Sequence, residues 1–204
     1  MTIITIINYG LGNIRSVQKA FERVGYQVKI SSNKDDIIKS DKLVLPGVGH
    51  FAKGIENLNN LNLYDTINEA VLIKKKIIIG ICLGMQLMTK HSTEGNLEGL
   101  GWIDAVTKKF DFKNNSLKIP HMGWNNIVMK KGSVLLREIT DEDFFYFVHS
   151  YFVQCNENED ILFTTNYGID FVSGFQKENI FGVQFHPEKS HDAGLKILKN
   201  FAEL

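Results

Sequence analysis

With 204 residues and 44% hydrophobic side chains, the chain is long enough to bury one substantial core, and nothing in its length requires a second domain, so residues 1–204 are read as one unit. Its 23 basic and 23 acidic residues cancel to a formal charge of zero without a basic run, which argues against a nucleic-acid partner. Two cysteines are too few for a disulfide framework, and the apolar opening at 2–7 is strand-length with no basic segment before it, so neither a signal peptide nor a membrane span is expected.

The first half of the chain alternates strand and helix. The opening strand enters a turn at Gly10-Leu11-Gly12 and then a helix on which Ile14, Val17, Phe21 and Val24 recur at helical spacing, with Gly25 ending it. A dinucleotide-binding turn needs a third glycine where Arg15 stands, so this turn is not read as a phosphate loop. Strands are expected at 27–30 and 42–45, helical segments around 55–58 and 64–73, and a further apolar strand leading to residue 82. This order predicts an α/β fold with a doubly wound, mostly parallel central sheet, ligands sitting beyond the carboxyl ends of its strands. From Gly101 onward shorter strands at 144–153, 161–165, 171–176 and 180–185 predict antiparallel additions. The polar stretch 111–115 reads as a loop, and Leu195, Leu198 and Phe201 give the last helix an apolar face.

Gly80-Ile81-Cys82-Leu83-Gly84 is the pattern of a nucleophile elbow with a thiol in place of a hydroxyl. Strand, sharp turn and helix would hold Cys82 in a strained backbone conformation, exposed at the carboxyl end of a sheet strand over a helix N-terminus that favours thiolate. The same segment also fits a plain buried strand with Cys82 as a small core residue. A base is offered by His186-Pro187-Glu188, where extended geometry would turn both side chains to one side so that Glu188 orients His186 toward Cys82. Pro187 biases His186 toward extended backbone. Acyl transfer also needs an oxyanion hole. The backbone N–H of Leu83 is one donor, and Pro46-Gly47-Val48-Gly49 offers a second near Val48 and Gly49, although a simple strand-to-helix turn fits that segment too. His50, His91, His121, His149 and His191 lack metal-ligand spacing and read as surface or locally hydrogen-bonding residues; no metal and no cofactor are expected.

Together with Asn8-Tyr9-Gly10-Leu11-Gly12-Asn13, Pro120-His121-Met122-Gly123-Trp124-Asn125 and Phe147-Val148-His149-Ser150-Tyr151, these segments resemble the class I glutamine amidotransferases, and within them the glutaminase subunits of imidazole glycerol phosphate synthases. Asn8 departs from the acidic residue frequent in that family. The resemblance implies a flavodoxin-like fold and a Cys82–His186–Glu188 triad that hydrolyses glutamine. Gly47, Gln86, His149, Ser150 and Tyr151 would then contact the substrate. It further implies a cytoplasmic heterodimer in which ammonia passes to a (β/α)₈-barrel synthase subunit of histidine biosynthesis, docked around Asn13, Trp124 and Lys189. Trp124 fits a core position nearly as well. Three alternatives stay open at this level: a paralogous amidotransferase serving surface-sugar biosynthesis, a stand-alone γ-glutamyl thiol hydrolase, and a non-catalytic binding subunit.

Overall fold

The computed structural model describes residues 2–112 and 117–204. Of the stretch 111–115 read as a loop, residues 113–115 lie outside the described residues. In chain order the elements are β1 (Ile4–Ile7), α1 (Ile14–Arg23), β2 (Val28–Ser31), α2 (Lys34–Lys39), β3 (Lys42–Gly47), α3 (Phe51–Asn60), α4 (Tyr64–Asn68), β4 (Ile77–Cys82), α5 (Leu83–Leu87), β5 (Thr89–Ser92), β6 (Leu97–Glu98) and β7 (Ile103–Lys109). There follow β8 (His121–Asn126), β9 (Val128–Met129), β10 (Phe144–His149), β11 (Tyr151–Cys155), β12 (Ile161–Asn166), β13 (Asp170–Lys177), β14 (Ile180–Val183) and α6 (His191–Glu203).

The large sheet runs β2-β1-β3-β4-β14-β13-β11-β7-β5-β6, with β12 and β9 attached through β13. β2, β1, β3, β4 and β14 are parallel neighbours, and β14–β13, β13–β11 and β11–β7 are antiparallel. This is the expected doubly wound α/β sheet with antiparallel additions. Its parallel strands are apolar on both sides because both are covered. Ile4, Ile6, Val44, Ile79 and Ile81 pack into one core with Phe21 of α1 and Phe201 of α6, whereas Ile7, Leu43, Leu45 and Ile78 join the opposite core with Phe51, Leu58 and Ile67 of α3 and α4. Strand periodicity of two thus sorts the side chains between two helical layers.

Several elements differ from the sequence expectation: β5 to β9 were not drawn from the sequence, and three further differences have a local reason. Residues 144–153 are two strands in different sheets: β10 pairs with β8 in a separate ribbon, and β11 pairs with β7 and β13. Residues 144–153 are apolar or aromatic apart from His149 and Ser150, so nothing in the sequence marks the crossing at Ser150. The helix at 64–73 is α-helical only to Asn68 and widens into a π-type turn over Glu69–Ile73. The short α2 was not expected; its signal is Asn33, whose side chain accepts from the N–H groups of Asp35 and Asp36 as an N-cap.

Candidate active site

β4 ends between β3 and β14, with Gly47 opposite Cys82 on one side and Val183 opposite Ile81 on the other. Because β14 runs parallel to β4, its continuation brings Gln184 and His186 to the same carboxyl edge as Cys82. Cys82 has φ 53° and ψ −107°, the strained geometry expected of an elbow nucleophile. The turn closes only because Gly84 lacks a side chain: a Cβ there would lie 1.7 Å from the Leu45 carbonyl oxygen. Cys82 is not exposed, as the sequence suggested, but 7% accessible, because the residues that follow β3 and β10 build walls around it.

His186 and Glu188 meet as expected, Nδ1 to Oε1 at 2.9 Å, with both side chains buried. The route differs from the extended pair drawn from sequence. His186 is extended (φ −99°, ψ 96°) ahead of proline, but Pro187–Lys189 form a 3₁₀ turn that folds the carboxylate back beneath the ring. The turn is bolted to β10: the His186 N–H donates to the Tyr146 carbonyl, the Ser190 hydroxyl donates to the His186 carbonyl, and the Tyr146 N–H donates to that hydroxyl. Burial disfavours a charged His186, but the neighbouring Cys82 sulphur and the Glu188 carboxylate outweigh it and raise the imidazole pKa from 6.5 to about 10. His186 Nε2 has no hydrogen-bond partner among the described residues and is the nitrogen left for a reacting group.

A cavity of about 350 Å³ opens over Cys82, lined by Val48, Gly49, Leu83, Gln86, Glu94, Pro120, Val148, His149, Ser150, Tyr151 and His186. Gly47 lies beneath it, where a Cβ would meet the Tyr9 hydroxyl at 2.5 Å and Leu83 at 2.8 Å. Gly49 has φ 109° and open space on its Cβ side, so its backbone is one that residues with side chains rarely adopt. Glu94 went unremarked in the sequence, and Pro120 and Val148 stood in the segments that carry the resemblance without a role of their own. Glu94 carries no local motif; its carboxylate accepts from the Phe51 N–H, 43 residues away in sequence, and sits at the cavity wall.

His121 and His149 are not surface residues. Both are buried and joined, His121 Nδ1 to His149 Nε2 at 3.0 Å, and burial lowers their pKa values to about 4 and about 3. His50 is exposed and accepts from the Ala52 N–H at the start of α3, while its other ring nitrogen lies 3.8 Å from the Glu94 carboxylate. Trp124 is 46% exposed, which removes the core reading; its indole stacks on His191 and meets Tyr146 edge-on, and the Lys189 ammonium lies 5.7 Å from the Tyr146 ring. Asn13 is exposed at the start of α1. Both cysteines are free, and burial pushes the Cys155 thiol up to about 12, far from the reactive range. Among the described residues no helix is long and apolar enough to cross a membrane.

Comparison with known proteins matches residues 5–204 to the family model "Glutamine amidotransferase class-I". The chain is 46% identical over 199 residues to imidazole glycerol phosphate synthase subunit HisH 2 of Methanococcus maripaludis, covering 98% of each. It is 48% identical over 203 residues to subunit HisH of Chlorobium luteolum, covering 98% of this chain and 100% of that one. Among solved structures it resembles a glutamine amidotransferase (TM-score 0.76, 16% identity, 99% and 100% of the two chains). A second likeness is to a Trypanosoma brucei CTPS glutaminase domain with bound acivicin (TM-score 0.69, 17% identity, 99% and 93%). A family match over nearly the whole length, with relatives at these identities and the same sheet architecture, establishes that the chain belongs to the class-I glutamine amidotransferase family.

Proposed function

We propose that residues 1–204 act as a single glutaminase domain that hydrolyses glutamine and supplies ammonia to a (β/α)₈-barrel synthase subunit in histidine biosynthesis. The observation that carries the chemistry is the strained Cys82 at the floor of the cavity, with His186 beside it and Glu188 locked to the far side of the ring. The raised His186 pKa favours an imidazolium beside the sulphur, held there by the Cys82 sulphur and the Glu188 carboxylate. The thiolate attacks the side-chain amide carbon, and negative charge builds on the amide oxygen. The Leu83 N–H, and a second N–H from the Val48–Gly49 peptide, are the donors offered to that oxygen. Nε2 of His186 gives its proton to the departing ammonia as the C–N bond breaks, leaving a glutamyl thioester on Cys82. His186 then takes a proton from water, which attacks the thioester and releases glutamate. Glu94, with its carboxylate at the cavity wall, matches the α-ammonium of glutamine, and Gln86, His149, Ser150 and Tyr151 line the remainder.

The partner reading is supported by the names of the relatives, which are synthase subunits, and by the exposed face of the β8–β10 ribbon. Met122, Trp124 and Phe144 stand out from that ribbon beside Lys189, an apolar area of the kind that marks an interface. A free thiol nucleophile suits the reducing cytoplasm.

The test is glutamine hydrolysis by the chain with a HisF-type barrel subunit and its nucleotide substrate. Cys82→Ala is expected to lose at least about 10³-fold in rate, while the complex still makes imidazole glycerol phosphate from ammonium salts. Hydrolysis retained in Cys82→Ala sinks the nucleophile assignment. A wild-type chain that hydrolyses glutamine but never supports that synthesis places the acceptor in another pathway.

A further inference from the structure

Between the β8–β10 ribbon and Cys82 runs a chain of buried side-chain hydrogen bonds that the hydrolysis mechanism does not use. We infer that Gln184 positions an N–H donor on the sulphur of Cys82, its amide orientation set through Gln86 by the Tyr151 carbonyl, which His149 and His121 hold in place from the other side. The inference rests on the reading of Cys82 as the nucleophile.

The directions follow from one group that can only accept. The Tyr151 carbonyl oxygen lies 2.7 Å from His149 Nδ1, so that nitrogen carries hydrogen. A neutral His149 then has its lone pair on Nε2 and accepts from His121 Nδ1 at 3.0 Å. His121 in turn presents a lone pair on Nε2 to the Asn125 amide nitrogen at 3.5 Å, and that nitrogen also donates to the Asn166 carbonyl at 2.8 Å. On the other side of the Tyr151 carbonyl, Gln86 Nε2 commits its two hydrogens, one to that oxygen and one to Gln184 Oε1, both at 3.0 Å. The Gln184 oxygen is thereby held toward Gln86, and its amide nitrogen faces Cys82 Sγ at 3.6 Å. The reverse orientation of Gln184 would bring N–H against N–H at Gln86 and a carbonyl oxygen against sulphur. Burial supports the assignment, since it keeps both histidines neutral and excludes water from the links: His121, His149, Gln86 and Gln184 are all 6% accessible or less.

An N–H on sulphur stabilises thiolate more than thiol. Four variants of the chain in complex with its barrel subunit test this, read by the rate of Cys82 alkylation with iodoacetamide at neutral pH and by kcat and KM for glutamine. Alkylation is followed on the Cys82 peptide so that Cys155 does not contribute. Gln184→Met removes the donor. Gln184→Glu keeps the shape and the acceptor facing Gln86, and decides the matter if the methionine variant does not fold. Both are expected to slow alkylation and kcat on the order of tenfold, with KM within about threefold. His121→Phe is expected to lower the same two rates, and His121→Asn to restore them, because an asparagine amide nitrogen replaces Nδ1–H. A loosened structure would raise KM and show no such rescue. Wild-type alkylation and kcat in a folded Gln184 variant overturn the inference, and wild-type rates in His121→Phe remove the histidines from it. If the wild-type chain fails to hydrolyse glutamine, the proposed function fails, while the alkylation rates still judge the donor.

Discussion

Cys82 occupies a backbone conformation that costs on the order of 1–3 kcal/mol for a residue with a side chain, held by strand pairing on both sides of β4. The closure depends on Gly84, where an added Cβ would sit 1.7 Å from the Leu45 carbonyl. Gly84→Ala must push α5 away from β3, and we expect a loss of about 3 kcal/mol or more in stability, read as the urea midpoint; an unchanged midpoint would mean the elbow can relax freely. Glu188 has a different task. Its carboxylate fixes His186 by one bond to Nδ1, so Glu188→Gln should fold normally yet hydrolyse glutamine on the order of 10²-fold more slowly. Equal kcat in the two proteins would make Glu188 a structural residue only.

At the scale of elements, the β8–β10 ribbon is the joint between surface and site. Its inner face carries His121, Phe145, Phe147 and His149, and its outer face carries Met122, Trp124, Phe144 and Tyr146. The Tyr146 backbone on that same ribbon holds the turn that bears His186 and Glu188. An exposed indole stacked on His191 is already held in place before any partner arrives, so little side-chain entropy remains to be lost on docking. Trp124→Ala should therefore weaken binding of the barrel subunit by about 2 kcal/mol, roughly 30-fold in Kd. Titration calorimetry giving wild-type affinity would place the interface elsewhere.

For the molecule as a whole, two consequences concern conditions and partners. His121 and His149 titrate at about 4 and about 3 in the fold but near 6.5 when unfolded. Between those values the unfolded chain binds more protons, so stability is complete above about pH 6.5 and falls as pH drops toward 4. At pH 5 the loss is at most about 2 kcal/mol per histidine. Urea midpoints at pH 7 and pH 5 should differ less in His121→Phe than in the wild type; parallel drops would assign the acid sensitivity to the carboxylates instead. The second consequence follows from Val48 and Gly49 at the open mouth of the cavity, where nothing crowds Gly49. We expect the free chain to be a slow glutaminase, gaining on the order of 10²–10³ when the loaded barrel subunit selects the conformer with both oxyanion donors in place. Full activity of the isolated chain, with no rise on adding partner and nucleotide, would show a preformed hole.

Local order in the chain is legible because it depends on local chemistry. The alternation of 3.6- and 2-residue periods marks the doubly wound half, and glycines flanking Cys82 mark the elbow, since only residues without Cβ admit that approach. The pairing of His186 with Glu188 was legible in its outcome although not in its geometry, because two residues apart brings side chains together through a 3₁₀ turn after proline as well as through an extended strand. The nearly continuous apolar run along 144–153 concealed the change of sheet at Ser150, since strand-forming residue types do not say which neighbour a strand pairs with. Glu94 and the His121–His149 pair were absent from any local pattern. Residue types and their spacing determined the family, the elbow and the triad. Which histidines are buried, which way each amide points and what closes over the sulphur were decided only when distant strands packed, because desolvation and hydrogen-bond direction belong to the assembled surroundings rather than to the residue.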